Sequence, residues 1–196
     1  PYLPSVYGVG VVGTKYSSRV NGVLTKEYVL WNSMLRRCYS DNSKKRRPTY
    51  EGCEVSDNFK SYGYFYEWCN KQIGFGVKGF QLDKDLLIKG NKIYSEETCL
   101  FLPQEINKLL TKREACRGDL PIGVTVRLKG NRFSAQGTFG SYHKKHLGFF
   151  DSAEKAFLRY KQVKEAYIKL KAEQWKTFIE PRAYLALMSY EILITD

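Results

Sequence analysis

The clearest alternation of apolar and polar positions lies in the segment 132–138. From Phe133 onward every second position is apolar or small, and the intervening positions are polar. A β-strand places successive side chains on opposite faces of a sheet. The pattern therefore predicts a strand with one packing face and one polar face. The polar face would carry Arg132, Ser134, Gln136 and Thr138.

Short apolar runs at 123–127 and 146–150 predict two further strands, and a helix should follow them. Asp151 is a candidate N-cap, and Glu154 stands three residues later, which is the spacing of a capping box. A helical stripe that would cover the apolar side of the sheet comes next: Ala153, Ala156, Phe157, Tyr160, Val163, Tyr167 and Leu170. The order of these segments predicts three strands packed on one helix.

These segments resemble the ethylene-response-factor type of DNA-binding domain, which is also found attached to phage and mobile-intron endonucleases. The matching frame is a glycine-valine strand at Gly123, a strand in which Phe133 is followed two residues later by alanine, a leucine-glycine-phenylalanine segment at 147–149, and an alanine-bearing helix. The resemblance implies a sheet that lies in the major groove of double-stranded DNA.

The resemblance places the family's base-reading positions at Thr125, Arg127 and Gln136. Threonine replaces the family's arginine at 125 and Phe133 replaces its tryptophan, so the base preference does not transfer. Arginine can make a bidentate contact to guanine, and glutamine one to adenine. The alternative is an ordinary solvated sheet face. The expected DNA contacts of this module are Arg127, Lys129, Arg132, Ser134, Gln136, Thr138, Lys144 and Lys145.

Charge supports a nucleic-acid partner. The chain has 32 Lys and Arg against 20 Asp and Glu, a formal net charge of +12. A basic surface attracts phosphate and releases counterions on binding. The polar segment 40–48 ends at a proline, which predicts a loop. Its cations Lys44, Lys45, Arg46 and Arg47 would either hold phosphates or keep that loop solvated.

Two amphipathic helices are predicted in the amino-terminal half. Thr25 is a candidate cap for a helix that runs to about Tyr39, with Trp31 and Leu35 on its apolar face. A second helix should span residues 58–72, with its aromatic side chains in the core. The glycines at 8, 10 and 13 match a dinucleotide-binding pattern, but the strand before it and the helix after it are missing, which favours a hairpin.

The segment 81–110 reads as strand, turn and helix. This order resembles the ββα-metal core of HNH endonucleases, particularly phage homing enzymes. The resemblance aligns the family's catalytic aspartate-histidine pair with Asp83 and Lys84. It also implies a metal ion, such as Mg²⁺, with Asp83 and Asn107 as its ligands.

The resemblance is weakest at the catalytic histidine, because both histidines of the chain, His143 and His146, lie in the carboxyl-terminal module. A lysine of ordinary basicity is protonated at neutral pH and cannot act as a base. If cleavage persists, Asp83 would bind the metal ion and Lys84 would stabilise charge on the phosphate. Otherwise Asp83, Lys84 and Asp85 form a surface strand with compensating charges.

We therefore expect an α+β protein in three parts. Residues 1–117 would form a degenerate HNH-like ββα-metal region with helices, residues 118–175 a three-stranded antiparallel sheet packed on one helix, and residues 176–196 a packing helix. The predicted function is binding of double-stranded DNA by a phage-type relative of HNH homing endonucleases. The alternatives are an active Mg²⁺-dependent DNA endonuclease and a phage protein that binds an acidic host protein.

Three further expectations concern the protein's surroundings. The amino terminus lacks the regions of a signal peptide and no apolar run is long enough to cross a bilayer, so we expect a cytoplasmic protein of a bacterial host cell. Five widely spaced cysteines predict reduced, mostly buried thiols. The apolar helix after Pro181 would pack on its own chain or join a homo-oligomer.

Overall fold

The computed structural model describes residues 3–111, 119–127, 132–140 and 143–196. Across these ranges helices combine with several small sheets, so the predicted α+β class is confirmed. The chain divides into two compact units: Pro1–Leu102 with Phe178–Ala183, and Pro103–Thr177 with Tyr184–Asp196. The first boundary between the units therefore follows Leu102, whereas the sequence predicted a boundary after residue 117.

The first unit consists of short strands between helices. Its two-stranded sheets pair β1 with β2, β3 with β5, and β4 with β6. The elements in chain order are β1 (Arg19–Val20), β2 (Val23–Leu24), α1 (Lys26–Tyr39), α2 (Asp41–Arg46), a 3-10 turn (Pro48–Tyr50), β3 (Glu54–Val55), α3 (Asp57–Lys60), α4 (Tyr62–Asn70), β4 (Phe80–Asp83), β5 (Ile93–Tyr94) and β6 (Leu100–Pro103).

Helix α1 begins where the sequence predicts. The hydroxyl of Thr25 accepts the backbone N–H of Tyr28 at 3.2 Å and so caps the helix. The helix buries Trp31, Met34, Leu35 and Cys38 on one face. The indole N–H of Trp31 also donates to the backbone carbonyl of Phe59 at 2.7 Å, which joins α1 to α3.

The single helix predicted over residues 58–72 is wrong, because the chain forms α3 and α4 with a break at Ser61. The cause is a pair of backbone hydrogen bonds to the amino-terminal segment. Val11 N–H donates to the carbonyl of Lys60 at 2.9 Å, and its own carbonyl accepts from Tyr62 N–H at 2.9 Å. The hydroxyl of Ser61 then caps α4.

Aromatic side chains of these helices form the core of the first unit, as predicted. The ring centroid of Phe59 lies 5.0 Å from that of Phe65 and 4.7 Å from that of Trp68. The glycine-rich segment forms a tight turn closed by a bridge between Val6 and Gly10. A Cβ at Gly10 would lie 2.5 Å from Leu35, so this glycine serves close packing on α1.

Residues 44–47, the basic run, were predicted to lie in a loop, but the structure places them in a short helix and at its end. Lys44, Lys45 and Arg46 lie in the last turn of α2, and Arg47 is the residue at its end. Cations are favoured at a helix carboxyl terminus because they interact with the partial negative charge there. The polar sequence signals that favour a loop also fit a short, solvated helix.

The second unit contains the predicted three-stranded sheet and its helix. Strands β7, β8 and β9 are antiparallel, with β8 in the centre. A bulge in β9 leaves Leu147 without a partner, because Ala135 pairs with Gly148 and Gln136 pairs with His146. The elements are α5 (Gln104–Leu110), β7 (Val124–Arg127), β8 (Arg132–Gly137), β9 (Lys145–Phe150), α6 (Ala153–Trp175) and α7 (Pro181–Met188), which begins in the first unit.

Helix α6 starts one residue later than predicted. Its N-cap is Ser152, whose hydroxyl accepts the backbone N–H of Lys155, whereas Asp151 forms an ion pair with the Lys155 side chain at 2.7 Å. The predicted apolar stripe is confirmed at Ala156, Phe157 and Tyr160, which are buried. It is wrong at Leu170, which is exposed.

The carboxyl-terminal segment packs within the second unit after α7. Lys161 on α6 donates to the carbonyl of Ile192 at 2.8 Å, and Ile192 N–H donates to Glu165 at 2.8 Å. Four cysteines, at 38, 53, 69 and 99, are buried free thiols, as expected, while Cys116 and Lys129 lie outside the described residues.

A substitution at Gly123 can test how closely the β7–β9 sheet packs on α6. Its φ is +79°, and a Cβ there would lie 2.2 Å from the ring of Tyr160. We expect Gly123→Ala to lower the opening free energy of the sheet by about 1–3 kcal/mol more than Gly148→Ala does. Gly148 is the matched control, since its φ is also positive but its Cβ would lie 3.3 Å from its nearest neighbour. Hydrogen exchange of the β8 amides gives both values, and equal losses would contradict this account.

Candidate functional site

The face of the β7–β9 sheet turned away from α6 carries the predicted base-reading positions. Strand register sets Thr125 opposite Ser134 and Arg127 opposite Arg132. The opposite face holds Val124 and Ala135, which are buried. On the polar face Thr125, Arg127 and Arg132 are exposed. We call this polar surface the outer face.

An arginine, an aromatic ring and a histidine form the centre of the outer face. The guanidinium carbon of Arg127 lies 5.0 Å from the ring centroid of Phe149, and the ring of His146 lies 4.4 Å from it. Phe149 pairs with Ser134, so Arg127 on β7 extends across the central strand to reach the ring on β9. Ser134 is only 7% exposed in consequence.

Gln136 is held in a defined orientation on the same face. Its side-chain N–H donates to the hydroxyl of Thr125 at 3.2 Å. A glutamine amide has a second N–H and a carbonyl oxygen. These are the two groups that a bidentate contact to adenine uses. The hydrogen bond to Thr125 therefore restrains the side chain and leaves a donor and an acceptor for a base.

The other predicted DNA contacts of this module lie at or next to the ends of strands β8 and β9. Arg132 is exposed at the start of β8, and Thr138 is exposed just after its end. Lys144 is exposed just before β9, and Lys145 is exposed at its start, where it pairs with Gly137 on the face toward α6. In the first unit, Lys45, Arg46 and Arg47 are exposed and Lys44 is partly buried. Most of these cations are open to solvent, as phosphate contacts require.

Asp83 has a structural task at the end of β4. Its Oδ1 accepts the backbone N–H of Asp85 at 3.0 Å and that of Leu86 at 2.8 Å, which turns the chain after the strand. Burial raises the pKa of the Asp83 carboxyl, although these two N–H groups act in the opposite direction. The predicted metal ligand therefore also holds its own loop.

Lys84 is buried, at 6% exposure, which differs from its alternative description as part of a surface strand. Its ammonium group donates to the carboxylate of Asp85 and, at 2.7 Å, to the carbonyl of Asn91. The Asn91 amide in turn donates to the carbonyl of Lys84 at 2.7 Å. These bonds close the loop between β4 and β5 and orient the ammonium group.

Asp83, Lys84 and Asp85 line one cleft of about 700 Å³ in the first unit. Arg37 on α1 and Tyr94 on β5 line the same cleft. Burial alone would lower the pKa of Arg37, but its interactions with Tyr94, Tyr50 and Cys38 together outweigh burial, and the pKa of Arg37 is raised. The cleft thus combines a permanent cation with two carboxylates.

The third residue of the predicted nuclease site, Asn107, is half-buried on α5 in the second unit. Within the described ranges, no group of three or more His, Cys, Asp or Glu side chains has a metal-binding arrangement. The same ranges contain no helix that is both long and apolar enough to cross a bilayer. Comparisons with protein family models, curated proteins and solved structures found no match to this chain.

Sequence reasoning missed two members of the outer face, His146 and Phe149. They are three residues apart in one strand, so regular alternation would place them on opposite faces. The bulge at Leu147 brings both rings to one face. The sequence signal for this bulge is Gly148, whose φ is +129°. Arg37 was also missed, because nothing in a helical pattern indicates that its partner is Tyr94 on a distant strand.

Two substitutions of Asp83 can separate its structural role in the loop from a chemical role. We expect Asp83→Ala to lower the opening free energy of the loop after β4 by about 1–3 kcal/mol, because two backbone N–H groups lose their acceptor. Asp83→Asn keeps an acceptor oxygen and should lose much less. Hydrogen exchange of the amides in residues 84–94 measures both effects. Identical losses in the two variants would show that the hydrogen bonds do not hold this loop.

Proposed function

We propose that this protein binds double-stranded DNA through the outer face of its three-stranded sheet. The observation that carries the proposal is the composition of that face, which presents Arg127 and Arg132 together with the restrained amide of Gln136. Helix α6 covers Val124 and Ala135 on the opposite face, whereas Arg127 and Arg132 on the outer face are exposed and therefore available to a partner. Arginine and glutamine are the side chains that read guanine and adenine in the major groove.

The charge distribution supports the same proposal. Lys144 is exposed just before β9 and Lys145 at its start, and the formal net charge of the chain is +12. Lysines that neutralise phosphates fix the position of a protein on the duplex without reading its sequence. The α2 cations Lys44, Lys45, Arg46 and Arg47 are proposed as additional phosphate contacts from the first unit. Affinity should therefore fall steeply as salt increases.

In this proposal the protein is a phage-type relative of HNH homing endonucleases that carries an ethylene-response-factor type DNA-binding module. Strands β4 and β6 followed by α5 have the order of elements that the nuclease resemblance implies. The sheet and helix of the second unit have the order that the DNA-binding resemblance implies. The proposed place of action is the cytoplasm of a bacterial host cell.

Mg²⁺-dependent cleavage of DNA is the second candidate function, and the cleft of the first unit favours it. Carboxylate oxygens are suitable ligands for Mg²⁺, and each carboxylate has more than one acceptor site, so Asp83 and Asp85 remain compatible with an ion. A bound Mg²⁺ would activate water and neutralise phosphate charge. Arg37 and Lys84, which line the same cleft, would attract the phosphate.

DNA recognition can be tested with two substitutions that should weaken binding in different ways. We expect Gln136→Ala to lose about 1–3 kcal/mol on the preferred sequence and little elsewhere, because it removes a base contact. Lys144→Ala should weaken binding to all duplexes alike and reduce the salt slope by about one. Fluorescence anisotropy with a selected duplex and a scrambled one, over a range of salt concentrations, measures both. Equal losses on every sequence for both variants would contradict base reading.

Cleavage can be tested with Asp83→Asn, which keeps the acceptor for the turn. We expect wild-type protein to nick supercoiled DNA only with Mg²⁺, and the variant to lose this activity while it still binds DNA. Asp57→Asn is the matched control, since Asp57 is an exposed carboxylate paired with Lys60 on α3. Nicking at equal rates by wild type and Asp83→Asn would exclude Asp83 from catalysis.

A further inference from the structure

We infer that the outer face recognises a 5-methylpyrimidine next to a guanine, through the ring of Phe149 and the guanidinium of Arg127. The inference rests on the proposed binding of duplex DNA and specifies the bases that this face would select. Its starting point is the exposed aromatic side chain at the centre of an otherwise polar and cationic surface.

Phe149 is 41% exposed, whereas Val124 and Ala135 on the face toward α6 are buried. The bulge at Leu147 and the pairing with Ser134 fix its strand in the sheet. Its ring contacts the imidazole of His146 at 4.4 Å and the guanidinium of Arg127 at 5.0 Å. These two contacts restrain the ring, so it loses little rotamer freedom when a ligand covers it.

The chemistry of the major groove suggests what an apolar ring would contact there. The C5-methyl group of thymine is the apolar group on the major-groove edge of the standard base pairs, and phenylalanine is among the side chains that contact it. Cytosine acquires the same group when it is methylated at C5. Covering a methyl group with an aromatic ring removes apolar surface from water, which favours the methylated base.

The distance between the two side chains determines how far apart the two bases that they contact can be. Successive bases along one strand are about 3.4 Å apart, and the Arg127 guanidinium lies 5.0 Å from the Phe149 ring centroid. The two groups therefore lie close enough to contact neighbouring base pairs. Because Arg127 packs on the ring, its fork is oriented before DNA binds, as a bidentate contact to guanine requires.

The test uses duplexes that differ only in a methyl group. A random duplex pool yields a preferred sequence, which is then synthesised with deoxyuridine replacing each thymine in turn, and with 5-methylcytosine replacing each cytosine in turn. We expect removal of one thymine methyl beside a guanine to weaken wild-type binding about fourfold. The same removal should not change the affinity of Phe149→Ala. If 5-methylcytosine is the ligand, adding its methyl should strengthen binding by a similar factor.

Two further variants keep the result interpretable. Val126→Ala is the matched control, because Val126 is 47% exposed in the same sheet and belongs to the other face. It should respond to each methyl group as wild type does. Phe149→Leu keeps an apolar side chain and should keep part of the discrimination, which distinguishes methyl contact from a folding defect.

The outcomes separate this inference from the proposal on which it depends. Discrimination by wild type at thymine, at 5-methylcytosine or at both supports the inference and identifies the source of the methyl group. Tight binding that ignores every methyl group overturns it and leaves DNA binding in place. Discrimination that persists unchanged in Phe149→Ala also overturns it. Failure to bind any duplex overturns both.

Discussion

The burial of one face of the β7–β9 sheet against α6 is the interaction on which the proposed function depends. Tyr160 lies against Gly123 and Gly137, and a Cβ at either glycine would approach its ring to less than 3 Å. This close contact determines which face of each strand is covered. Since side chains alternate along a strand, it also determines which side chains the outer face presents. The packing of one face against α6 therefore determines that the side chain of Arg127 lies on the opposite face.

Periodicity predicted the faces of β8 and the apolar side of α1 because each depends on neighbours within one element. The predictions failed where one residue changed the local geometry. Ser61 interrupts a helical pattern because Val11, far away in the sequence, bonds to the backbone on both sides of it. Leu147 adds a residue to β9, and therefore the ring of Phe149 joins that of His146 on the outer face. Neither effect leaves a clear periodic signal.

The charged residues illustrate the same limit. Lys84 lies in an alternating charged segment, yet it is buried and bonds to Asp85 and to the carbonyl of Asn91. The run from Lys44 continues a short helix that the sequence alone presents as a loop. A sequence shows that a charge is present, whereas its partners and its exposure depend on the fold. Exposure decides whether a cation is available to a phosphate or is already used by its own loop.

This distinction also separates the two candidate functions. Asp83 and Lys84 both make hydrogen bonds that hold the loop after β4, so their presence has a structural explanation even without catalysis. The described contacts of Arg127 and Gln136 are with Phe149 and Thr125 on the outer face, and neither of these contacts is a hydrogen bond to the backbone of a loop. Cleavage of DNA requires binding, whereas binding does not require cleavage. DNA binding is therefore the function that needs fewer assumptions about this chain.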